Sequence, residues 1–252
     1  MNSMLFEKVT SKVFYLLPHD IRRHVYSKVY PSKFAKLQVD RDPHGASFLK
    51  SFDKHRCIFV HIPKTGGISV NKALFDHPGI GHKSIADYQF IFSRVEFNSY
   101  FKFTIVRNPW DRLYSAYHFL SKGGLIKADK DWAQSHLMSY RSFEDFVLHG
   151  LENRSILWWR HFRPQFTYFL SPGSKISPIN FFGRFERLSD DYLQIKERLG
   201  AGGELNHENK THYDLSKTDY REVYSSRMKS KVAFLYRNDI EYLGYKFSDG
   251  SN

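Results

Sequence analysis

The sequence has one cysteine, no long apolar run and too few acidic residues to balance its basic ones. The single cysteine, Cys57, excludes an intrachain disulfide. No segment approaches the roughly 20 apolar residues that a membrane-spanning helix needs. The N-terminal segment also lacks the sustained apolar stretch of a signal peptide. These absences predict a cytoplasmic protein in a reducing compartment.

The shortage of acidic residues leaves the chain strongly basic. Against 38 Lys and Arg stand 26 Asp and Glu, which gives a formal net charge of +12. This balance favours a polyanionic partner such as nucleic acid, an acidic membrane face, a nucleotide or an acidic glycan, and charge alone does not choose among them. The basic N-terminus suits either a peripheral membrane contact or a helix that packs on the rest of the protein.

The sequence does contain enough apolar material for a large core, since hydrophobic residues make up 41% and aromatic residues 17% of it. Apolar runs at 57–62, 100–106 and 179–188 predict strands, and helical segments follow each of them. Alternating strands and helices predict an α/β fold of three layers, with a central parallel sheet flanked by helices. We expect an N-terminal helical extension, 1–50, and one large domain, 51–252.

Capping residues predict several helix boundaries. Ser84 is expected to begin a helix over 85–95, and Asn108 to cap the helix that follows the second strand. Ser189 is expected to cap the helix after the third strand. A single helix over 225–245 is predicted near the end of the chain.

The first strand runs into the glycine turn "IPKTGGIS", residues 62–69. Lys64 supplies a cation, and Gly66 and Gly67 let the backbone approach an oxyanion. Thr65 and Ser69 add hydroxyl donors. In the loop that binds nucleoside triphosphates the lysine follows the glycines, whereas here it precedes them. The turn therefore predicts a phosphate site of another kind, or an ordinary strand-to-helix turn.

A second candidate anion site lies at the end of the second strand. Arg107 offers a planar fork that suits two phosphate oxygens, and Ser115 lies on the following helix, away from its buried stripe. In a parallel sheet both strand ends lie at one edge, so the two sites would face one ligand. The strand ends in Arg107 rather than in an acid that would hold magnesium, so we expect no metal.

With these residues in place, the chain resembles the sulfotransferases that use 3′-phosphoadenosine 5′-phosphosulfate (PAPS). "IPKTGGIS" resembles their 5′-phosphosulfate loop and "IVRNPWDRLYSAY" their 3′-phosphate segment. The likeness extends through "FFGRFERLSDDY" to the carbohydrate branch that includes heparan 2-O-sulfotransferase and bacterial polysaccharide enzymes. The resemblance implies a P-loop-like fold, PAPS as donor, no metal, and a carbohydrate acceptor rather than nucleic acid; the basic charge would suit an acidic acceptor.

The resemblance also implies a donor-binding role for two groups of residues. Lys64 would contact the bridging and sulfuryl oxygens of the donor. The others would hold its two phosphates: Thr65, Gly66, Gly67 and Ser69 the 5′-phosphate, and Arg107 and Ser115 the 3′-phosphate. Ile68 departs from the family, which usually has threonine there, so one donor to the 5′-phosphate is missing.

The acceptor hydroxyl must lose its proton, which requires a base of near-neutral pKa. His82 stands at a position that resembles the catalytic histidine of the heparan 2-O type, and histidine titrates in the useful range. A structural histidine is the alternative interpretation. Glu96 and Glu186 are the alternative bases, because related carbohydrate sulfotransferases use a glutamate.

Several further residues are weaker candidates. Arg184 is expected to pair with Glu186 rather than to bind ligand. Lys210 and Thr211 would close over the nucleotide. Four residues near 160 would line an acceptor groove or pack in the core: Trp158, Trp159, His161 and Arg163.

Three other functions stay open. A nucleotide or sugar kinase would share the loop, and a non-catalytic module that binds glycans or nucleic acid would use the basic charge. A sulfotransferase that acts on a lipid or a small alcohol would keep the donor site and change only the acceptor groove. The sequence does not indicate an oligomeric state.

Overall fold

A three-stranded parallel sheet lies at the centre of the fold, as the sequence predicts. The protein is represented by a computed structural model, which describes residues 13–39, 41, 49–79, 81–205 and 219–250. The strands follow the order of the chain, with β2 in the middle, and are β1 (Cys57–Val60), β2 (Phe101–Val106) and β3 (Phe181–Arg184).

The register of the sheet brings the carboxyl ends of all three strands to one edge. Val60 pairs with Thr104, and Val106 pairs with Arg184. The sheet is buried because large apolar side chains stack across it: the rings of Phe59 and Phe103 lie 4.8 Å apart and both side chains are buried. Such aromatic contact adds to the burial of apolar area that stabilises the core.

Helices flank this sheet, with α3 packed on β1 and α12 on β3. Short 3₁₀ turns precede α10 and α12, at Gly150–Glu152 and Phe185–Arg187. The helices are α1 (His19–Val29), α2 (Pro31–Val39), α3 (Leu49–His55), α4 (Gly67–Phe75), α5 (Ile85–Ile91), α6 (Arg94–Ser99), α7 (Pro109–Ser121), α8 (Lys127–His136), α9 (Phe143–Leu148), α10 (Arg154–Leu157), α11 (Phe166–Phe169), α12 (Leu188–Leu199), α13 (Tyr220–Val223), α14 (Ser226–Leu235) and α15 (Arg237–Leu243).

The predicted helix over 85–95 is two helices. Ser84 caps α5 as expected, through a capping box with Asp87. Phe92 then adopts an extended backbone, and Ser93 begins α6 with a second capping box. The prediction missed this break because Ser93 lies within a continuous apolar pattern, where its capping role is not evident.

Two other predicted helix boundaries have different outcomes. Asn108 caps α7, since its side chain accepts a hydrogen bond from the backbone N–H of Trp110 at 3.1 Å. The prediction for Ser189 is wrong, because α12 begins at Leu188, two residues before the start that a Ser189 cap implies, and Arg187 occupies the cap position without a side-chain hydrogen bond. The 3₁₀ turn before α12 leads the chain directly into the helix.

The predicted helix over 225–245 also divides in two, as α14 and α15. The break lies at Tyr236, whose ψ of 20° is outside the helical range. Its hydroxyl donates to the carbonyl oxygen of Phe162 at 2.6 Å. This buried hydrogen bond joins the break between α14 and α15 to the segment that precedes α11.

The N-terminal segment packs on the domain through α1 and α2. The ring of Tyr26 stacks on Phe90 of α5 at 4.1 Å, and Arg23 donates to the carbonyl oxygen of the same Phe90. Leu16 and Ile21 nevertheless remain exposed. A peripheral membrane contact here stays a prediction. Within the described ranges, none of the helices has the length and apolar character to cross a bilayer.

Candidate functional site

The turn after β1 has the backbone shape of an anion-binding loop. Lys64 has φ +67° and Gly66 has φ +81°, so the chain reverses sharply before α4 begins. Thr65 is fully buried, and its hydroxyl donates to the carbonyl oxygen of Ile62 at 2.9 Å. No side chain of the described residues caps α4 at Gly66. The first N–H groups of the helix are thus available to an anion.

Gly67 brings the helix start close to a histidine ring. A Cβ at this position would come within 2.0 Å of the ring of His61. Only glycine permits this approach, so the glycine here serves packing as well as the turn. Ser69 lies one residue beyond Ile68 in the first turn of α4, and both side chains are partly exposed.

Arg107 joins the second strand end to this loop. Its guanidinium binds Asp111 through Nε at 2.7 Å and Nη2 at 2.8 Å, and its Nη1 donates to the carbonyl oxygen of Lys64 at 3.1 Å. The group also lies over the ring of Phe185, 4.0 Å from its centroid. These bonds use three N–H groups of a guanidinium that has five, so two remain for a phosphate. The predicted partner Ser115 is nearly buried on α7.

Two buried side chains that the sequence did not reveal hold this strand end in place. Gln165 accepts from the backbone N–H of Arg107 at 3.0 Å and donates to its carbonyl oxygen at 2.8 Å. Asp239 in turn accepts from the backbone N–H of Gln165 at 2.7 Å. Both are separated from Arg107 by long stretches of chain, so no local pattern points to them.

Arg112 fixes the segment after α10 against the phosphate loop. It is 1% exposed, and its Nη1 donates to the carbonyl oxygens of Pro63 at 3.4 Å and His161 at 3.1 Å. A buried guanidinium that bonds two distant carbonyls couples the positions of both segments. His161 is therefore brought to the same edge of the sheet as the loop.

Three histidines cluster beside the loop. The ring of His82 lies 4.5 Å from that of His61 and 5.9 Å from that of His161. Its Nδ1 lies 3.1 Å from the carbonyl oxygen of His61. A carbonyl only accepts, so Nδ1 carries the proton and Nε2 keeps a lone pair. His61 directly follows a buried strand, which is a signal that could have found it in the sequence.

Burial and neighbouring charges set the protonation of these groups. Burial, together with His61 and His161, lowers the pKa of His82 well below 6.5. Burial also lowers the pKa of Lys64 to about 7; Arg107 adds to this effect and Asp129 opposes it. His82 is thus neutral at pH 7, and its lowered pKa makes it a weaker base than the near-neutral one that the sequence predicts. Lys64 therefore loses its proton more easily than an exposed lysine does.

The two glutamates proposed as alternative bases differ in position. Glu96 lies on α6, directly before β2, and therefore at the opposite edge of the sheet from the loop. It is bound there by Arg41 at 2.8 Å. Glu186 lies near the loop edge, where it accepts from the backbone N–H of Asn108 at 2.6 Å and from the hydroxyl of Tyr245 at 3.0 Å. The structure therefore excludes Glu96 from the candidate site.

The other predicted residues are only partly brought together. The expected Arg184–Glu186 pair is wrong, because Arg184 donates to the carbonyl oxygen of Leu243. Of the four acceptor-groove candidates, Trp158 is 47% exposed, whereas Trp159 stacks on another tryptophan and Arg163 on a tyrosine. Lys210 and Thr211 lie outside the described residues.

The arrangement combines an anion site with a neutral base. The free N–H groups of α4, the Lys64 ammonium and the Arg107 guanidinium can hold two anionic groups of one ligand. His82 lies beside them. Among the described residues, no group of three or more histidines, cysteines, aspartates and glutamates could hold a metal ion.

Comparison with known proteins identifies a family. A model described as "Sulfotransferase family" matches residues 49–246. "Carbohydrate sulfotransferase 10" of Xenopus laevis is 26% identical over 236 residues, which cover 77% of this chain and 66% of that protein. The chain thus spans just under two thirds of the length of this relative. No solved structure matches the chain.

Proposed function

This chain belongs to the sulfotransferase family, and we propose that it transfers a sulfuryl group from PAPS to a hydroxyl of a carbohydrate. The observation that carries the proposal is the hydrogen bond from Arg107 to the carbonyl oxygen of Lys64, at 3.1 Å. It sets two cationic sites side by side at two strand ends. A donor with a 5′-phosphosulfate and a separate 3′-phosphate requires two such sites.

Each residue of the site fits one part of this reaction. Lys64 and the N–H groups of Gly66, Gly67 and Ser69 would hold the 5′-phosphosulfate, while Arg107 would use its two remaining N–H groups on the 3′-phosphate together with Ser115. Thr65 uses its hydroxyl within the loop, on Ile62, so it would contribute its backbone N–H instead. The start of α4, which has no side-chain cap, would supply backbone donors where Ile68 lacks a hydroxyl.

In the proposed transfer, the bond that forms is matched by one that breaks, and the proton that is released has an acceptor. The acceptor oxygen forms a bond to sulfur while the bond between sulfur and the bridging phosphate oxygen breaks, and the acceptor proton passes to Nε2 of His82. The leaving phosphate gains negative charge. Lys64 stabilises this charge, because a cation in a partly buried site acts on it more strongly than it would in water. The products are a sulfate ester and 3′-phosphoadenosine 5′-phosphate.

A carbohydrate acceptor is supported by the similarity to the carbohydrate sulfotransferase of Xenopus laevis and by the half-exposed ring of Trp158, which suits a sugar face. A lipid or small-alcohol acceptor would use the same donor site. A kinase is less favoured, because the lysine precedes the glycines of the loop. A cytoplasmic location and a reaction without metal stay predictions, and a bacterial source is proposed only by analogy with the bacterial polysaccharide enzymes of the same branch.

The test is calorimetry with 3′-phosphoadenosine 5′-phosphate, the desulfated product. We expect the wild type to bind it and Arg107→Ala to bind at least tenfold more weakly, since a charged hydrogen-bonding group is lost. Arg94→Ala is the matched control, because Arg94 lies on α6 at the opposite edge of the sheet and is largely exposed.

Three outcomes would reject the proposal. The first is a wild type that does not bind the product nucleotide. The second is turnover with ATP and magnesium but not with PAPS, which would indicate a kinase. The third is salt-sensitive binding to polyanions such as heparin with no nucleotide binding, which would indicate a non-catalytic module.

A further inference from the structure

A groove of about 390 Å³ lies between the N-terminal segment, α5 and the loop 171–178, which leads toward β3. It is near the amino edge of the sheet, because Asn180, two residues after this loop, donates its backbone N–H to the carbonyl oxygen of Lys102 at the start of β2. The groove is therefore at the opposite edge of the sheet from Lys64 and the candidate donor site. The residues that line it are Tyr15, Leu16, Arg22, Gln89, 171–174 and 176–178.

The groove contains a buried guanidinium. Arg22 of α1 is 7% exposed, and its Nη1 donates to the carbonyl oxygen of Tyr15 at 3.1 Å. The guanidinium also lies over the ring of this tyrosine, 5.1 Å from its centroid. Within the described ranges, Nε of Arg22 has no hydrogen-bond partner and no carboxylate forms an ion pair with the group. A buried cation without a counter-ion is costly, so this groove suits an anion.

A second unpaired polar group lines the same groove. Oε1 of Gln89, on α5, is buried and has no hydrogen-bond partner among the residues that the structure describes. Buried polar atoms are nearly always hydrogen-bonded. Two such side chains in one groove therefore indicate a ligand that is negatively charged and also donates hydrogen bonds.

The rim of the groove is apolar and basic. Leu16 and Ile176 both line it, and they are 82% and 81% exposed, the largest exposed fractions among the large hydrophobic side chains of the described residues. Ile21, next to Arg22 on α1, is half-exposed, and Lys175 is exposed next to Ile176. Exposed apolar side chains beside basic ones are typical of a surface that enters the interface of an anionic membrane.

We propose that this groove binds the headgroup of an anionic phospholipid and attaches the protein to a membrane surface. The guanidinium of Arg22 would bind the phosphate, and the amide of Gln89 would accept from a headgroup hydroxyl such as those of phosphatidylglycerol. Leu16 and Ile176 would enter the acyl boundary. An acidic glycan is less favoured, because it would leave these two apolar side chains in water.

The test is co-sedimentation with vesicles of phosphatidylcholine alone and of equimolar phosphatidylcholine and phosphatidylglycerol. The wild type is expected to bind only the vesicles that contain phosphatidylglycerol. Arg22→Gln should weaken this binding about fivefold or more, which is the attraction that one basic residue contributes at an anionic surface. Arg141→Gln is the matched control, since it removes the same charge from a side chain that is 92% exposed and lies outside the groove. It should bind as the wild type does.

Two surface variants keep the test decisive if Arg22→Gln does not fold, which thermal unfolding shows. Leu16→Ser and Ile176→Ser change exposed side chains, so the fold should be retained. Each should weaken binding to the phosphatidylglycerol vesicles about tenfold, because an apolar side chain is lost from the acyl boundary. Leu193→Ser is their control, since Leu193 is 60% exposed on α12 and does not line the groove.

Three results would overturn the inference. The first is a wild type that sediments with neither kind of vesicle, or equally with both. The second is a folded Arg22→Gln that binds as Arg141→Gln does, or serine variants that bind as Leu193→Ser does, because net charge alone would then attract the protein to the vesicles. The third is binding to heparin that Arg22→Gln weakens while vesicle binding is unchanged, which would assign the groove to an acidic glycan.

Discussion

Nη1 of Arg107 donates a hydrogen bond to the carbonyl oxygen of Lys64, at 3.1 Å. The two residues are 43 positions apart in the chain and belong to different strand ends. The carbonyl oxygen of Lys64 accepts this bond while the residue has a positive φ. The bond therefore connects the two phosphate-binding motifs and fixes the spacing between their cations.

Replacing Arg107 by lysine is expected to weaken nucleotide binding although the charge is retained. A lysine has no planar fork, so it cannot bind Asp111 twice and also reach the carbonyl oxygen of Lys64. We expect affinity for 3′-phosphoadenosine 5′-phosphate to fall about tenfold, or about 1.4 kcal/mol. Calorimetry measures this, with Arg237→Lys on the exposed surface as control. Equal affinity would show that only the charge matters.

The sequence predicted those features of the site that depend on short segments. The loop at 62–69 and Arg107 follow apolar strands, and such strands indicate parallel pairing whose carboxyl ends meet. The residues that complete the site are distant in the chain. Gln165 and Asp239 reach it only after the helices that follow β2 have packed, and no local periodicity encodes that packing.

Helix boundaries were less predictable for a related reason. Ser93 and Tyr236 interrupt segments whose apolar pattern continues on both sides. A break there depends on a capping box in one case and on a buried tertiary hydrogen bond in the other. Pattern alone favours a single long helix in both cases, so tertiary contacts decided the outcome.

Nucleotide binding should weaken as the pH rises through neutrality. Burial, with a contribution from Arg107, lowers the pKa of Lys64 to about 7, so the cation is present below this pH and lost above it. Its loss removes an attraction for the 5′-phosphate. Lys64→Arg keeps its charge at every pH used, so this variant should show a flatter profile between pH 7 and 9. An equally steep profile in the variant would assign the titration to another group.

Gly67→Ala should destabilise the loop by overpacking. The added Cβ would come within 2.0 Å of the ring of His61, and clashes of this kind typically cost about 1–3 kcal/mol. Thermal unfolding measures the loss, and Gly203→Ala is the control because a Cβ there meets no atom closer than 3.5 Å. A second substitution, His61→Ala, should restore part of the stability. No recovery would mean that the clash is not the cause.

His82→Ala is expected to abolish sulfuryl transfer and leave nucleotide binding intact. Nε2 of His82 carries the lone pair that can accept a proton, because Nδ1 donates a hydrogen bond to the carbonyl oxygen of His61. Since burial and two neighbouring histidines lower the pKa of His82 well below 6.5, the base form persists below neutral pH and is lost only as the pH falls through that lowered value. Wild-type activity should therefore have its acid limb below pH 6.5.

Two measurements distinguish His82 as a base from His82 as a structural residue. The transfer rate is measured with labelled PAPS and a panel of acceptors that includes dextran and unsulfated chondroitin. Calorimetry with 3′-phosphoadenosine 5′-phosphate shows whether the donor site is intact. His149→Ala is the control, since His149 is largely exposed and bonded to Asp145. Loss of sulfuryl transfer with unchanged nucleotide binding would support His82 as the base. Near-normal transfer would move the role to Glu186, because Glu96 lies at the opposite edge of the sheet.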